Sequence, residues 1–256
     1  MRSIKVLGLC LVAVFAFSAV AAASAFAEGQ PTFKVCGAAA KEGSKYTGKY
    51  TNKECTTEAS PTEITEGKKN KYELKEVTAG TKYTGKSKTT TLDAKSTTGA
   101  TEAVVCTKDT AQLEVTGPSS FAETVTFSKC EANGNKHEAC TIPATTVSGE
   151  LYYVNAAETE AGLFTSSPTG EDFKCGASAI NEKGSLIGGV ANTSTGVTFA
   201  YKMSGGHQEH RAFWIDGSEV FSENYTNLAS EVEGEVYESP LTGEEAFKAK
   251  EVSVRG

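Results

Sequence analysis

Apolar and polar positions alternate with a period of two along much of the chain. Val197, Phe199, Tyr201 and Met203 share one parity, with Thr198, Ala200 and Lys202 between them. Successive side chains of an extended ribbon point to opposite sides, so this pattern predicts a strand with one face buried. Ala111, Leu113 and Val115 alternate with Gln112, Glu114 and Thr116 in the same way, and Val125 and Phe127 with Thr124, Thr126 and Ser128. Near the C-terminus, Phe247 and Ala249 fall on one parity and Val252 and Val254 on the other. A bulge at Lys250 and Glu251 would reconcile the two halves.

Turn chemistry punctuates these runs. Asn133-Gly134-Asn135 lies between Cys130 and Cys140, where a hairpin tip is expected. Ser167-Pro168-Thr169-Gly170, Ser204-Gly205-Gly206 and Asp216-Gly217 predict further turns. Residues 149–154 and 161–166 form a candidate hairpin. No long amphipathic helix is legible. The expected fold is all-β: an antiparallel β-sandwich or barrel of many short strands.

The first residues follow a different pattern. Arg2 and Lys5 precede a nearly uninterrupted apolar stretch over residues 6–20, and small residues follow. Ala25-Phe26-Ala27 fits the small-x-small cleavage site of a signal peptide, so residues 1–27 read as an export signal and the mature chain as beginning at Glu28. The apolar core, about 15 residues, is short of the ~20 that a membrane-spanning helix needs. Nothing later in the chain is apolar enough for a transmembrane segment. Residues 28–256 then read as a single β-rich domain, secreted or associated with the cell envelope.

Export changes the meaning of the cysteines. Cys36, Cys55, Cys106, Cys130, Cys140 and Cys175 remain after cleavage, and an even number in an oxidising compartment predicts three disulfides. Sequence alone leaves 15 pairings open. The preferred set is Cys36–Cys55 and Cys130–Cys140, each closing a local hairpin, with Cys106–Cys175 joining distant strands. There is no C-x-x-C pair, so a zinc site is not expected.

The mature chain carries 32 acidic and 23 basic residues, but unevenly. Lys34 to Lys95 holds 13 lysines against 8 acidic residues, and the chain from Ser96 onward holds 10 basic against 23 acidic residues. Residues 28–95 are thus a Lys-rich part and residues 96–256 an acidic main part. Lys45-Tyr46-Thr47-Gly48-Lys49 recurs as Lys82-Tyr83-Thr84-Gly85-Lys86. Edge strands protected by lysine are the plain explanation. The functional one is a surface formed by Lys45, Tyr46, Lys49, Lys82, Tyr83 and Lys86 for an anionic cell-wall or envelope polymer. A nucleic-acid partner is disfavoured by the acidic balance and by the lack of a basic helix or aromatic RNA-binding motif.

Several motifs follow in a fixed order: Val104-Val105-Cys106, Phe127-Ser128-Lys129-Cys130, Cys140, Gly149-Glu150-Leu151-Tyr152-Tyr153-Val154, Phe173-Lys174-Cys175 and Gly184-Ser185-Leu186-Ile187-Gly188. With the exported N-terminus, this series resembles a group of secreted, disulfide-containing, β-rich proteins of actinobacteria. The resemblance rests on cysteines, glycines and strand residues. It implies a shared fold and carries no activity.

Candidate chemistry is sparse. His207-Gln208-Glu209-His210 spaces its histidines three apart after two glycines, which reads as an exposed loop and not as a metalloprotease helix. No G-x-S-x-G elbow is present. Glu231, Glu233 and Glu235 share a parity and read as the solvated face of one strand. Trp214 reads as a core residue. No catalytic residue, metal site or cofactor is expected. The functional expectation is a secreted, non-catalytic β-domain with a structural or binding role. The alternatives are an exported hydrolase with a site assembled from scattered residues, and an anionic-polymer-binding module.

Overall fold

The computed structural model describes residues 29–95, 101–133, 137–176, 178–194, 196–215, 217–219, 228–232, 235–248 and 252–256. The expected signal peptide, the tip at Gly134 and Asn135, Asp216, Glu233, and the expected bulge at Lys250 and Glu251 lie outside these residues. The N-terminal part holds β1 (Thr32–Ala38), β2 (Lys41–Glu42), β3 (Lys45–Tyr46), α1 (Pro61–Glu66), β4 (Tyr72–Glu76), β5 (Lys82–Ser87) and β6 (Thr90–Lys95). Next come β7 (Thr101–Val115), β8 (Ser120–Asn133), β9 (His137–Thr141), β10 (Thr145–Tyr153), β11 (Ala161–Cys175), β12 (Ser178–Thr193) and β13 (Gly196–Tyr201). The remainder is β14 (Met203–Ser204), β15 (His207–Gln208), β16 (Trp214–Ile215), β17 (Ser218–Glu219), β18 (Leu228–Val232), β19 (Glu235–Glu238), β20 (Leu241–Lys248) and β21 (Val252–Arg255).

Eight of these strands close into an antiparallel barrel in the order β8-β10-β11-β12-β13-β20-β5-β7, with β7 pairing back to β8. The alternation read from sequence sets the inward face. Ala111, Leu113 and Val115 of β7, Phe121 and Val125 of β8, and Val197 and Phe199 of β13 are all buried in one cluster. Met203, on the same parity as β13, lies beyond the end of that strand and is 40% exposed. Gly85 of β5 serves a close approach, since a Cβ there would stand 2.7 Å from the Phe247 ring across the β5–β20 pairing. Strand β5 therefore lies inside the barrel wall. The second Lys-Tyr-Thr-Gly-Lys copy is not an edge, unlike the first, which begins in the small β2–β3 ribbon.

Four strands are longer than the sequence pattern implied: β7 and β11 have 15 residues, β8 has 14 and β12 has 16. They run past the ring and change partners, β7 to β6, β8 and β11 to β9, and β12 to β18. The expected turn at residues 167–170 is instead part of β11, where the register with β12 shifts between Ser167 and Glu171. A bulge bends the strand there without ending it. The expected single strand through Glu231 and Glu235 is two, because Val232 of β18 pairs with Glu235 of β19.

The extension also corrects the disulfides. Cys36–Cys55 forms as expected, but the other two bridges are Cys106–Cys130 and Cys140–Cys175. The cause is the register. Cys106 faces Cys130, Cys130 faces Cys140 and Cys140 faces Cys175, so four cysteines form one row across β7, β8, β9 and β11. Joining the middle pair would leave Cys106 and Cys175 three strand spacings apart, about 14 Å, beyond the ~7 Å a bridge can span. Joining the outer pairs uses every thiol, each across a Cα separation of 4.0 Å.

A separate sheet, β21-β1-β4, covers the other end of the barrel. Phe33 of β1 is fully buried and meets Phe121 edge-on at 6.1 Å. The Asn192 side chain clamps this sheet by accepting from the Val254 N–H at 2.7 Å and donating to the Val254 carbonyl at 2.8 Å. The Lys-rich part therefore supplies two cap strands, β1 and β4, and one barrel strand, β5, with β6 pairing to β7 and β20 beyond the ring, so the charge boundary near residue 95 does not divide the fold. Outside the wall, Phe213 stacks on Tyr152 at 4.0 Å. Phe213 is the buried residue there, and Trp214, expected in the core, is only half-buried. Among the described residues, no helix is long and apolar enough to cross a membrane.

Candidate ligand-binding cavity

The barrel interior changes along its axis. Aromatic rings fill the capped end: Phe121 lies 5.6 Å from Phe199, and Phe199 lies 5.0 Å from Phe247. Beyond them is a cavity of ≈ 160 Å³ whose walls are almost entirely apolar. Val125, Phe127, Leu186, Leu241, Val104 and Phe173 are among its lining residues. An eight-stranded barrel has an interior just wide enough to be filled by side chains or to hold one small ligand.

Three glutamates reach into this apolar space: Glu123 from β8, Glu182 from β12 and Glu245 from β20. They are 1%, 7% and 6% exposed, and Asp109 of β7 is 1% exposed. Asp109 is fully engaged. Its carboxylate accepts from the Ser87 N–H at 2.9 Å, from the Thr90 hydroxyl at 2.7 Å and from the Ser87 hydroxyl. Glu123 and Glu245 hydrogen-bond to each other. Two carboxyl groups can do so only with a proton between them. Oε1 of Glu123 and Oε2 of Glu245 are buried without a hydrogen-bond partner.

Burial pushes the Glu123 carboxyl well above the usual carboxylate range, and the charges of Glu245 and Asp109 push it further. Burial also raises Glu245, where the hydrogen bond with Glu123 opposes the shift and the charge of Asp109 adds to it. Tyr201, another lining residue, is raised by burial and then by the two glutamates. The pair is too close to flank a glycosidic bond, since hydrolases of that kind hold their carboxyls about 5–10 Å apart. Its available chemistry is to hold a proton, to hydrogen-bond a guest or to balance a positive charge.

The wall is discontinuous beside the cavity. Strand β8 pairs with β10 as far as Val125 and with β9 from Cys130, and residues 142–144 between β9 and β10 belong to no strand. Lining residues at this gap, Phe127, Ile142, Thr145 and Val147, are half-buried, whereas Glu123, which pairs with Val147, is buried, as are Glu182 and Glu245.

The residues singled out from sequence do not form this site. Lys45 donates to the Thr65 carbonyl at 3.0 Å, Lys82 pairs with Glu114 at 3.0 Å, and Tyr83 packs against the barrel core. Lys41 and Lys71 flank the Tyr46 ring at 4.6 and 6.0 Å. The two pentapeptides sit on different sheets. His207 belongs to the β14–β15 ribbon and His210 is half-buried, and among the described residues no group of three His, Cys, Asp or Glu is placed to hold a metal.

The glutamates carry a signal in the sequence, which is their phase. Glu123 is in phase with Phe121 and Val125, Glu245 with Phe247, and Asp109 with Ala111, Leu113 and Val115. An acid on the buried parity of a strand is the informative observation, because charge on the opposite parity needs no explanation.

No family model matches the chain, and neither a curated protein nor a solved structure proves similar to it. The geometry itself defines a closed antiparallel barrel whose cavity is apolar except for convergent buried acids.

Proposed function

We propose that this is a binding protein that holds a compact, largely apolar ligand inside the barrel, with a polar group of the ligand meeting Glu123 and Glu245. The observation that carries this reading is the cavity: ≈ 160 Å³ of apolar space lined in part by Glu123 and Glu245, each with a buried carboxyl oxygen that has no partner. Apolar pockets with a few convergent polar groups and perturbed ionisation are the usual form of small-molecule sites. An apolar cavity of about 150 Å³ is large enough for benzene. Three disulfides fit an oxidising compartment. Together with the apolar N-terminal stretch they support a protein that does this work after export.

Thermal unfolding with toluene tests the reading. A ligand that binds only the folded state raises Tm with concentration. Wild-type protein should show this rise, and Val125→Phe, which puts a ring into the cavity, should abolish it while keeping a β-type circular dichroism spectrum. An unchanged Tm at toluene saturation, or an undiminished rise in Val125→Phe, would remove the proposal.

A further inference from the structure

We propose that the preferred occupant of the cavity is a compact organic cation, an ammonium group on an apolar body, seated between the carboxyl groups of Glu123 and Glu245. This rests on the binding reading above and goes further, to the charge of the ligand.

The first argument is hydrogen bonding. Glu123 and Glu245 both line the cavity, and each has one carboxyl oxygen, Oε1 and Oε2 respectively, that is buried without a partner. An ammonium carries three donors and no acceptor, so it supplies what these oxygens lack. Hydrogen bonds between ionised groups are about twice as strong as neutral ones. An unpaired buried oxygen costs ~1–3 kcal/mol, which a donor of the right kind recovers.

The second argument is charge. The described lining holds three glutamates and no Lys, Arg or His. Asp109 adds a further negative charge close enough to act on both members of the pair. Among the described residues, the titratable groups that line the cavity with the pair or act on it are Asp109 of β7, Glu182 of β12 and Tyr201 of β13, and none of these is basic. An anionic ligand such as a fatty carboxylate would enter a dry site of its own sign. A neutral ligand would leave the shared proton where it is. A cation takes the place of that proton, which leaves to solvent as the ammonium arrives, so charge balances.

The third argument is size and kind. Among the described residues no three acids surround a common metal position, while the remaining wall is apolar and includes the rings of Phe127, Phe173 and Tyr201. Aromatic faces attract ammonium groups, the more so when desolvated. The space admits a ring-sized body and nothing much larger.

Titration calorimetry with toluene, benzyl alcohol and benzylammonium tests this on the intact exported chain. Benzylammonium should bind at least about ten-fold tighter than either neutral compound. Runs in two buffers of different ionisation enthalpy should show about one proton released per ligand bound. Glu123→Gln and Glu245→Gln should each lower benzylammonium affinity about ten-fold or more, and should lower its ratio to toluene affinity. If toluene binds and benzylammonium binds no tighter, the cation inference fails and the binding reading stands. If wild-type protein binds neither, both fail. The wild-type comparison and proton count decide the matter even if a variant does not fold.

Discussion

The two ends of the barrel achieve stability by different means. The capped end relies on rings: Phe33, Phe121 and Phe199 are at most 1% exposed and contact one another in series. The far end has a smaller cluster, Leu92, Val104, Ala132, Phe173, Cys175 and Ile180, and two disulfides cross its wall. Large side chains fill a barrel section by volume and need no covalent help. Where the interior is given over to a cavity, there are fewer contacts to hold the wall, and cross-links restrict the unfolded chain instead. The cavity lies between the two arrangements, with Phe199's neighbour Tyr201 on one side and Cys106 on the other. The fold thus keeps an unfilled, acid-lined space by bracing it from both directions.

Substitutions at each end measure the difference. Phe199→Ala removes the fully buried ring that touches both Phe121 and Phe247. Loss of such a ring typically costs about 3–5 kcal/mol, to be read from urea midpoints with an unchanged m-value. The double variant Cys106→Ala/Cys130→Ala opens a loop closed by 24 residues of separation and should cost about 3 kcal/mol. If the disulfide variant costs nothing measurable, the far end is not braced in the way described. The comparison is sharper if the two losses add, since sites without shared partners behave independently.

The acids between the two ends should give stability a pH dependence of definite sign. The folded-state pKa of Glu123 is raised by burial and by neighbouring charge, and that of Glu245 is raised chiefly by burial. The folded protein therefore holds more protons than the unfolded chain above the ordinary glutamate range. Their contribution is complete below the unfolded pKa, near 4.3, and is lost as pH rises through the folded values. The loss is at most ~1.4 kcal/mol per pH unit for each proton. Glu123→Gln keeps the shape and removes one titrating group. Its urea midpoint should fall less than that of wild type between pH 5 and pH 8. Parallel profiles for the two proteins would mean that Glu123 is not the proton holder.

The contrast between the ends also explains what could be read in advance. At the capped end the parity of Ala111, Leu113, Val115, Val197 and Phe199 was plain, because buried and exposed faces differ sharply in polarity there. Around the cavity the same rule was obscured. Inward positions carry Asp109, Glu123 and Glu245, which look like surface residues unless their phase is counted. The inward parity also changes within β7, between Cys106 and Asp109, and within β8, between Val125 and Cys130, where Lys129 has a φ of 54°. The β7–β8 register runs through this change unbroken, so it leaves no compositional mark. Closure into a barrel was not legible either, since it depends on pairings between strands as distant as β5 and β20. The short helix was overlooked although Ser60 and Glu63 form a capping box, a pattern that is local and readable.

The smallest expected effect concerns the cysteine row. Cys130 stands one strand from Cys106 and one strand from Cys140, directly opposite each. Its choice of partner is therefore not made by distance. It is made by the requirement that the two outer cysteines also find partners. Cys106→Ala removes that requirement. The freed Cys130 then faces the Cys140–Cys175 bridge in register, and a thiolate can attack Cys140 and release Cys175. The total number of bridges and of free thiols is the same before and after, so little stability is at stake. Cys130 is 5% exposed, and burial disfavours its thiolate, which makes the exchange slow. Peptide mapping after alkylation at mildly alkaline pH should recover both Cys130–Cys140 and Cys140–Cys175 from this variant, with the free thiol divided between Cys175 and Cys130. Recovery of Cys140–Cys175 alone after prolonged incubation would mean that the wall itself, and not the arithmetic of the row, selects the pairing.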